Sequence, residues 1–349
     1  MTPIEIAGRQ IGPGQPCFVI AEAGVNHNGS TELALRLVDA AAAAGADAVK
    51  FQAFKAERLV SPTAAKAEYQ LAATGGAESH FEMIRRLELT ADALRQIQAH
   101  CMQRGILFLA TPFDEESSTQ LDAMNVPLFK ISSGEVINLP FLTHVAQTGR
   151  PIVLSTGMCD LREVGEAVRT IRAAGHESIV LLQCVSNYPA APADTNLRAM
   201  QTMAEAFRVA VGYSDHTLGH EVALAAVALG ACVVEKHLTL DRAMPGPDHR
   251  ASSEPAEFAA LVRGIRVVES ALGDGSKKPA ASERNTAEVA RKSLVAACDL
   301  PAGATLTAEM LTAIRPGTGL SPALQTQLLG RTLRYTIPAH TPLTFEMLD

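Results

Sequence analysis

The sequence of 349 residues predicts a (β/α)8 TIM barrel, an α/β fold, followed by a small β-rich domain. Eight short apolar segments, each about as long as a buried strand, recur in the first part of the chain. Stretches with helical periodicity separate most of them, and eight such β/α units are typical of a closed barrel. The predicted strand segments are CFVIAEAG (17–24), DAVKFQ (47–52), ILFLATPF (106–113), LFKISSGE (128–135), PIVLSTGM (151–158), IVLLQCVS (179–186), VAVGYSDH (209–216) and CVVEKHLT (232–239).

The elements around these strands follow from local signals. Residues 1–16 predict a β-hairpin that could plug the barrel floor, because two short β-like runs flank turn residues. Asp160 and Ser253 are predicted N-caps, the latter followed by Pro255 in the first helical turn. Helices are predicted at 30–45, 90–104, 114–124, 139–148, 160–174, 196–207, 219–230 and 254–272.

The chain between the second and third strands is longer than one crossover needs. Residues 56–89 (AERLVSPTAAKAEYQLAATGGAESHFEMIRRLEL) are therefore interpreted as a lid-like excursion.

The barrel pattern ends near Gly273, where a polar connector rich in Gly, Ser and Lys begins. After the connector, short β-like runs alternate with Pro-Ala-Gly turns. The predicted organisation is a barrel domain with its N-terminal hairpin at 1–275, a linker at 276–289 and a small domain at 290–349.

Composition narrows the class of protein. The net charge is −7 and no Lys/Arg-rich block is present, which argues against a nucleic-acid partner. We expect no signal peptide and no membrane partner, hence a cytoplasmic protein, because no apolar run approaches the roughly 18 residues of a membrane span. The six cysteines form no CxxC pair, so reduced thiols are expected. A nucleophilic Cys184 is the less favoured alternative, because no base lies near it in the sequence.

Polar and ionisable residues end nearly every predicted strand. Because the active site of a TIM barrel lies at the C-terminal strand ends, this pattern predicts an enzyme. The residues at these ends are Glu22, Lys50, Gln52, Thr111, Lys130, Ser133, Glu135, Ser155, Thr156, Ser186, Asp215, His216, Glu235, Lys236 and His237.

Two histidines end neighbouring strands. His216 closes the seventh strand and His237 the eighth, so their imidazoles can share one metal ion. Two imidazoles with open positions suit Mn2+, Zn2+, Fe2+ or Co2+, and the ligand types do not choose among them. His27, after the first strand, is interpreted as a loop or structural histidine.

Two lysines lie within otherwise apolar strands. Lys50 and Lys130 could each form a structural salt bridge with Glu22 or Glu135, hold a small polyanion, or form a Schiff base. Hydroxyl and glycine residues near them favour an anion, because such loops bind phosphate and carboxylate groups. The hydroxyl residues are Thr111, Ser133, Ser155 and Thr156.

Several segments in this order resemble one family over essentially the whole chain. They are IAEAGVNHNGS, ADAVKFQ, TPFDEES, FKISSGE, VLSTGM, GYSDHT, VEKHLTLDRAMPGPDHRAS and RPGTG. The chain is similar to the sialic acid synthase family, which includes N-acetylneuraminate synthases and their legionaminate and pseudaminate relatives. The C-terminal segment resembles the antifreeze-like (SAF, β-clip) domain of those enzymes.

The resemblance implies a transferase that condenses phosphoenolpyruvate with an N-acetylated sugar aldehyde such as N-acetylmannosamine. The products are a nine-carbon 2-keto acid and phosphate. His216 and His237 would hold a divalent metal, usually Mn2+, and Glu22 or Glu135 would transfer a proton or position the water. Arg315 would come from the partner subunit of a domain-swapped homodimer. The implied phosphoenolpyruvate contacts are Lys50, Thr111, Lys130, Ser133, Ser155 and Ser186, and the implied sugar contacts are Gln52, Tyr188 and Asp248.

Three alternatives remain open. The protein could instead be an N,N'-diacetyllegionaminate or pseudaminate synthase, which would use a different acceptor sugar. The acceptor could also be a sugar phosphate, whose phosphate would require Lys or Arg side chains in the loops around the site. A non-catalytic carbohydrate-binding protein is the remote alternative. The candidate loop cations are Lys55, Arg58, Lys66, Arg85, Arg86, Arg242 and Arg250.

Overall fold

The computed structural model describes residues 3–349, which fall into two compact units that divide between Gly273 and Asp274. The first unit begins with an antiparallel hairpin of β1 (Ile4–Ile6) and β2 (Arg9–Ile11). The predicted hairpin is therefore present.

Eight parallel strands follow the hairpin and form one sheet. They are β3 (Phe18–Gly24), β4 (Ala48–Ala53), β5 (Leu107–Pro112), β6 (Phe129–Ile131), β7 (Ile152–Ser155), β8 (Ile179–Cys184), β9 (Ala210–Asp215) and β10 (Val233–His237). The strand order is β5-β4-β3-β10-β9-β8-β7-β6. Strand β10 pairs with β3, with His237 opposite Glu22. The strands at the two ends of this order, β5 and β6, contact each other. The predicted barrel class is confirmed.

Alternation along the strands decides what faces the barrel interior. Phe18 and Ile20 of β3 belong to an interior apolar cluster that also contains Ile6 of β1 and Ile11 of β2. The hairpin thus fills the barrel floor. Because strand side chains alternate, Glu22 is the next β3 residue on the interior side, one layer closer to the C-terminal end.

Helices outside residues 56–89 pack on the outside of the barrel. The helices of the first unit are α1 (Thr31–Ala43), α2 (Ala56–Leu59), α3 (Glu68–Thr74), α4 (His80–Arg86), α5 (Ala91–Arg104), α6 (Glu115–Ala123), α7 (Leu139–Ala146), α8 (Leu161–Ala173), α9 (Ala199–Phe207), α10 (Glu221–Ala228) and α11 (Pro255–Leu272). Within residues 3–349, no helix has both the length and the apolar character needed to cross a membrane.

One of the two predicted N-caps is correct. The Asp160 side chain accepts a hydrogen bond from the Glu163 amide at 2.8 Å. Ser253 is not the N-cap of α11, because that position belongs to Glu254. The Ser253 amide instead donates to the His237 carbonyl at 2.8 Å, which ties the chain beside the end of β10.

The excursion at residues 56–89 contains α2, α3 and α4. Met83 and Leu87 from this segment pack with Val25 and Phe54, which lie just after β3 and β4. This apolar cluster attaches part of the excursion to loops at the C-terminal ends of the strands.

The second unit has its own small core. Its elements are α12 (Arg284–Ala290), β11 (Ser293–Ala296), β12 (Leu311–Ile314) and α13 (Gln325–Leu328). The strands β11 and β12 pair antiparallel, and isolated bridges join further loop residues. Leu294, Leu300 and Leu343 are among the buried core residues. The predicted small β-rich domain is present, and the predicted linker overlaps α12.

Candidate active site

A cavity of about 560 Å3 opens at the C-terminal ends of the barrel strands. This volume is in the usual range for small-molecule sites. Most residues predicted for the site line this cavity. They are Glu22, Lys50, Gln52, Thr111, Lys130, Ser133, Ser155, Ser186, Tyr188, His216, His237 and Asp248.

Four charged side chains, Lys50, Glu22, Glu235 and Lys130, form a buried charge cluster at the bottom of the cavity. The Lys50 ammonium lies 2.9 Å from Glu22 Oε2 and 3.7 Å from Glu235 Oε1. The Lys130 ammonium lies 3.6 Å from the same Glu235 oxygen. No side chain in the cluster is more than 6% exposed. Two cations therefore share one carboxylate oxygen in a site that excludes bulk water.

Hydroxyl groups fix the two ammonium groups in place. Lys50 Nζ donates to Thr111 Oγ1 at 2.9 Å, and Lys130 Nζ donates to Ser155 Oγ at 2.7 Å. Each lysine thus has a neutral partner as well as a charged one, and both neutral partners line the cavity.

Burial and charge act in opposite directions on the pKa values of this cluster. Burial raises the pKa of Glu22 to about 7, against the opposing effect of Lys50. Burial also disfavours the charged forms of Lys50 and Glu235. The partners outweigh it, however, so the Lys50 pKa is raised and the Glu235 pKa is lowered. At Lys130 burial prevails and lowers the pKa. Glu22 is the member placed to exchange a proton near neutral pH.

A glycine in the STGM segment allows three side chains to converge. The Gly157 amide donates to Ser133 Oγ at 2.9 Å. A Cβ at position 157 would lie 2.4 Å from Ser186 Oγ and 3.3 Å from Cys184 Sγ. Any other residue would therefore displace these groups, so the close approach of Ser133 and Ser186 depends on glycine.

The two predicted metal ligands lie side by side. The ring centroids of His216 and His237 are 5.3 Å apart. His216 Nδ1 lies 2.7 Å from the Val185 carbonyl oxygen. Since a carbonyl only accepts, Nδ1 carries the hydrogen and Nε2 keeps its lone pair. His237 Nδ1 is buried and has no hydrogen-bond partner among the described residues.

This donor set fits a divalent ion held by two imidazoles with open positions for oxygen ligands. A more complete protein site is not present: residues 3–349 contain no group of three or more His, Cys, Asp or Glu placed to bind one ion.

Cys184 has a histidine neighbour that the sequence did not reveal. Its Sγ lies 3.8 Å from His216 Nδ1, although the two residues are 32 positions apart. The absence of a base near Cys184 in the sequence therefore does not mean that no base lies near it in space. A nucleophilic role remains disfavoured for another reason, because Nδ1 donates its hydrogen to Val185 and cannot accept the thiol proton. All six cysteines are free.

Two predicted site residues of the first unit, Glu135 and Thr156, lie outside the set that lines the cavity. Glu135 follows β6 in a short 3-10 turn and accepts a hydrogen bond from Asn138 Nδ2 at 2.8 Å. Thr156 donates its hydroxyl hydrogen to the Leu182 carbonyl at 2.9 Å and so joins β7 to β8. Arg315 belongs to the second unit, in the loop after β12. The functional roles of these three residues stay predictions.

Two further residues at the strand ends form a structural pair. Lys236 Nζ lies 2.6 Å from Asp215 Oδ2 and donates to the Thr217 carbonyl at 2.7 Å. Asp215 Oδ1 accepts from the Thr217 amide. This buried pair holds the chain next to His216, and neither charged residue lines the cavity.

Several lining residues were missed by the sequence analysis. Glu235 was recognised as a strand-end residue but was given no role, although it stands two positions before His237 and so shares its face of β10. Tyr69, Gln70 and His80 also line the cavity, together with Lys66, which was predicted only as a candidate cation for a sugar phosphate. They belong to the excursion, whose length gave the only signal, because sequence spacing does not say which of its residues turn inward.

His27 supports the loop after β3 and does not line the cavity. It is 1% exposed, and its Nδ1 accepts a hydrogen bond from the Gly29 amide at 3.0 Å. Burial lowers its pKa from 6.5 to about 4. The interpretation of His27 as a structural histidine agrees with this position.

The sequence matches known families over both units. Residues 37–277 match the NeuB family and residues 291–349 match the SAF domain. The N,N'-diacetyllegionaminic acid synthase of Legionella pneumophila is 46% identical over 342 residues, which cover 97% of this chain and 96% of that protein. The human N-acetylneuraminate-9-phosphate synthase is 37% identical, over 99% of this chain and 98% of that protein.

A solved structure agrees with these matches. The N-acetylneuraminic acid (sialic acid) synthetase of Leptospira borgpetersenii, crystallised in complex with citrate, superimposes with a TM-score of 0.73 at 36% identity. The match covers 82% of this chain and 95% of that one.

Protonation of His27 should make the fold sensitive to acid. The folded-state pKa of about 4 lies below the ordinary 6.5, so the unfolded chain binds the proton first as pH falls. The resulting stability is present above 6.5 and is lost between 6.5 and about 4, by up to about 3 kcal/mol. His27→Asn keeps an acceptor for the Gly29 amide but cannot titrate. In urea unfolding at several pH values, wild type should lose more stability than the variant over this interval. Parallel pH profiles would contradict the assignment.

Proposed function

The chain belongs to the NeuB family, and on this premise we propose that it is a synthase that condenses phosphoenolpyruvate with an N-acetylated sugar aldehyde. The products are phosphate and a nine-carbon 2-keto acid of the N-acetylneuraminate type. The observation that carries the proposal is the presence, in one cavity, of two buried lysines and two adjacent histidines. Lysines suit an anionic donor, and a histidine-bound metal suits a carbonyl acceptor.

Phosphoenolpyruvate binds at the charge cluster. Its phosphate and carboxylate interact with the ammonium groups of Lys50 and Lys130 and with the hydroxyls of Thr111 and Ser155, which these ammonium groups already contact. The Gly157 segment adds Ser133 and Ser186 to the same anion site. Both lysines are hydrogen-bonded as ammonium donors, which supports charge-assisted binding rather than a Schiff base.

His216 and His237 would hold the divalent metal, for which the family resemblance implies Mn2+. When bound, the ion supplies Lewis-acid polarisation of the sugar aldehyde. The Val185 carbonyl keeps the His216 ring in the tautomer that presents Nε2.

The reaction consumes one water: it forms a carbon–carbon bond between the two substrates and a carbon–oxygen bond from water to C2, and it breaks the carbon–oxygen bond to phosphate. C3 of the enol attacks the aldehyde carbon, and positive charge develops at C2. Water adds at C2, and the C–O bond to phosphate then breaks. Glu22 serves as the proton donor to the former aldehyde oxygen, because its pKa of about 7 lets it carry a proton at neutral pH. Glu135 is the second candidate for proton transfer and for positioning the water.

The acceptor is bound by Gln52, Tyr188 and Asp248 and carries no phosphate group. Of the seven loop cations that could recognise a sugar phosphate, only Lys66 lines the cavity. Its ammonium already donates to Thr74 Oγ1 at 2.8 Å and to the Gly75 carbonyl at 3.0 Å. The site therefore offers no free cation from this set to a phosphate on the sugar.

A second candidate acceptor is a diacetamido-trideoxy sugar, as in N,N'-diacetyllegionaminate synthesis. Part of the cavity wall contributed by the excursion is apolar, and it contains Leu59, Met83, Ile84 and Leu87. This wall suits an acceptor in which a C6 methyl and a second acetamido group replace hydroxyls. The identity to the Legionella enzyme supports the same candidate.

The enzyme acts as a domain-swapped homodimer in which Arg315 of one subunit reaches the N-acetyl group in the other. Exposed apolar side chains at the strand-end loops support a partner there. Ile137 is 68% exposed, Met158 is 73% exposed and Leu218 is 55% exposed. These three residues follow β6, β7 and β9, so the loops around the cavity present apolar surface that a partner would cover.

Turnover tests the proposed reaction directly. Phosphoenolpyruvate and N-acetylmannosamine should give phosphate and keto acid in equal amounts, and 2,4-diacetamido-2,4,6-trideoxymannose should be tested beside it by kcat/KM. EDTA should abolish activity and Mn2+ should restore it. Pyruvate and phosphate without a condensation product would refute the reaction. Full activity in EDTA, with no metal in the protein, would refute the metal assignment.

Complementation tests the domain swap. His237→Ala and Arg315→Ala should each be nearly inactive alone. In a mixed dimer one site receives both lesions and the other receives neither. Co-expression should therefore recover about one quarter of wild-type activity, if half the dimers are mixed and half their sites are intact. A purified mixed dimer that stays inactive, or an active monomer, would rule out the swap.

A further inference from the structure

The excursion helix α3 has no core of its own. It is seven residues long, and none of its side chains is buried. Because helix nucleation is costly, a helix this short is not stable in isolation. Its position must therefore depend on contacts with the rest of the molecule.

Polar contacts give α3 its shape but do not attach it to the barrel. Lys66 Nζ donates to Thr74 Oγ1 and to the Gly75 carbonyl at the C-terminal end of the helix. At the other end, Gln70 Oε1 accepts from the Ala67 amide at 3.0 Å. All these partners belong to the excursion itself.

Tyr69 is the α3 residue that reaches the barrel loops. Its ring centroid lies 4.9 Å from that of Tyr188, in the loop after β8. The Tyr188 ring lies 4.1 Å from the His216 ring and 5.5 Å from the His237 ring, the latter edge-to-face. Tyr69 is thus the outer member of a continuous aromatic column that ends on the two imidazoles.

The column borders only one half of the cavity. Tyr188 and the two imidazoles come from β8, β9 and β10 or the loops that follow them. The ammonium groups and their hydroxyl partners come from β4 to β7. In the proposed function, Tyr188 and the two imidazoles serve the sugar, and the two ammonium groups with their hydroxyl partners bind phosphoenolpyruvate. A change at Tyr69 should therefore affect one substrate and leave the other unaffected.

We propose that Tyr69 is a positioning residue for the acceptor sugar. Its ring holds Tyr188 against the imidazoles and closes the acceptor half of the cavity. This assignment rests on the proposed function. The ring of Tyr69, rather than its hydroxyl, carries the effect, because its contact with the column is ring-to-ring, with the Tyr69 and Tyr188 planes tilted by 34°.

Steady-state kinetics of three variants test the assignment. Tyr69→Ala should raise the KM for the sugar about tenfold, equivalent to 1.4 kcal/mol, and leave the KM for phosphoenolpyruvate within about twofold. Tyr69→Phe should stay close to wild type. Leu71→Ala, in the same helix and 50% exposed, is the matched control and should be unchanged. Thermal unfolding of each variant checks that the barrel is intact.

Three results would overturn the assignment. They are an unchanged sugar KM in Tyr69→Ala, an equal rise in both KM values, or a Tyr69→Phe variant as impaired as Tyr69→Ala. None of these results contradicts the proposed function, provided that the wild-type protein condenses the two substrates. A wild type that consumes phosphoenolpyruvate with no sugar would refute the proposed function, and the Tyr69 assignment with it.

Discussion

Lys50 and Lys130 lie beside one carboxylate oxygen of Glu235, and the rest of the site depends on this arrangement. Two ammonium groups so close together repel each other and lose hydration on burial, so neither position is tolerable without a shared negative charge. The Glu235 oxygen, at 3.7 and 3.6 Å, supplies that charge. Glu22 completes the cluster at 2.9 Å from Lys50. The result is a fixed pair of cations in a low-dielectric pocket, which is the setting in which an entering anion binds strongly.

The fold makes this cluster possible by layering the barrel interior. Apolar side chains fill the lower layers, and the hairpin residues Ile6 and Ile11 close the floor. Because this apolar floor excludes water, charged side chains in the next interior layer are tolerated only when opposite charges pair with each other. The imidazoles of His216 and His237 stand at the C-terminal ends of β9 and β10, where the cavity opens. The charge cluster and the two imidazoles thus line one cavity of the same barrel.

The sequence predicted the repeating parts of this structure well and the irregular parts poorly. Strand period, helix period and the side of the barrel that carries function follow from local patterns, which is why Lys50, Lys130 and the histidine pair were predicted. Contacts between distant loops carry no such period. The inward turn of Tyr69 and the approach of Cys184 to His216 therefore appeared only in three dimensions. Ser253 shows a different error. Serine is a residue type that suits an N-cap, but the N-cap position belongs to Glu254, and the Ser253 amide bonds to the end of β10 instead.

The central claim is that the buried lysines bind phosphoenolpyruvate as charged hydrogen-bond donors. Equilibrium binding of phosphoenolpyruvate to Lys130→Met, measured by calorimetry beside wild type, tests it most directly, because methionine keeps the volume and removes the charge. Loss of a charge-assisted hydrogen bond is worth about 1.5–3 kcal/mol, so the account predicts affinity at least about tenfold weaker with the barrel still folded. Phosphoenolpyruvate affinity equal to that of wild type would contradict the account.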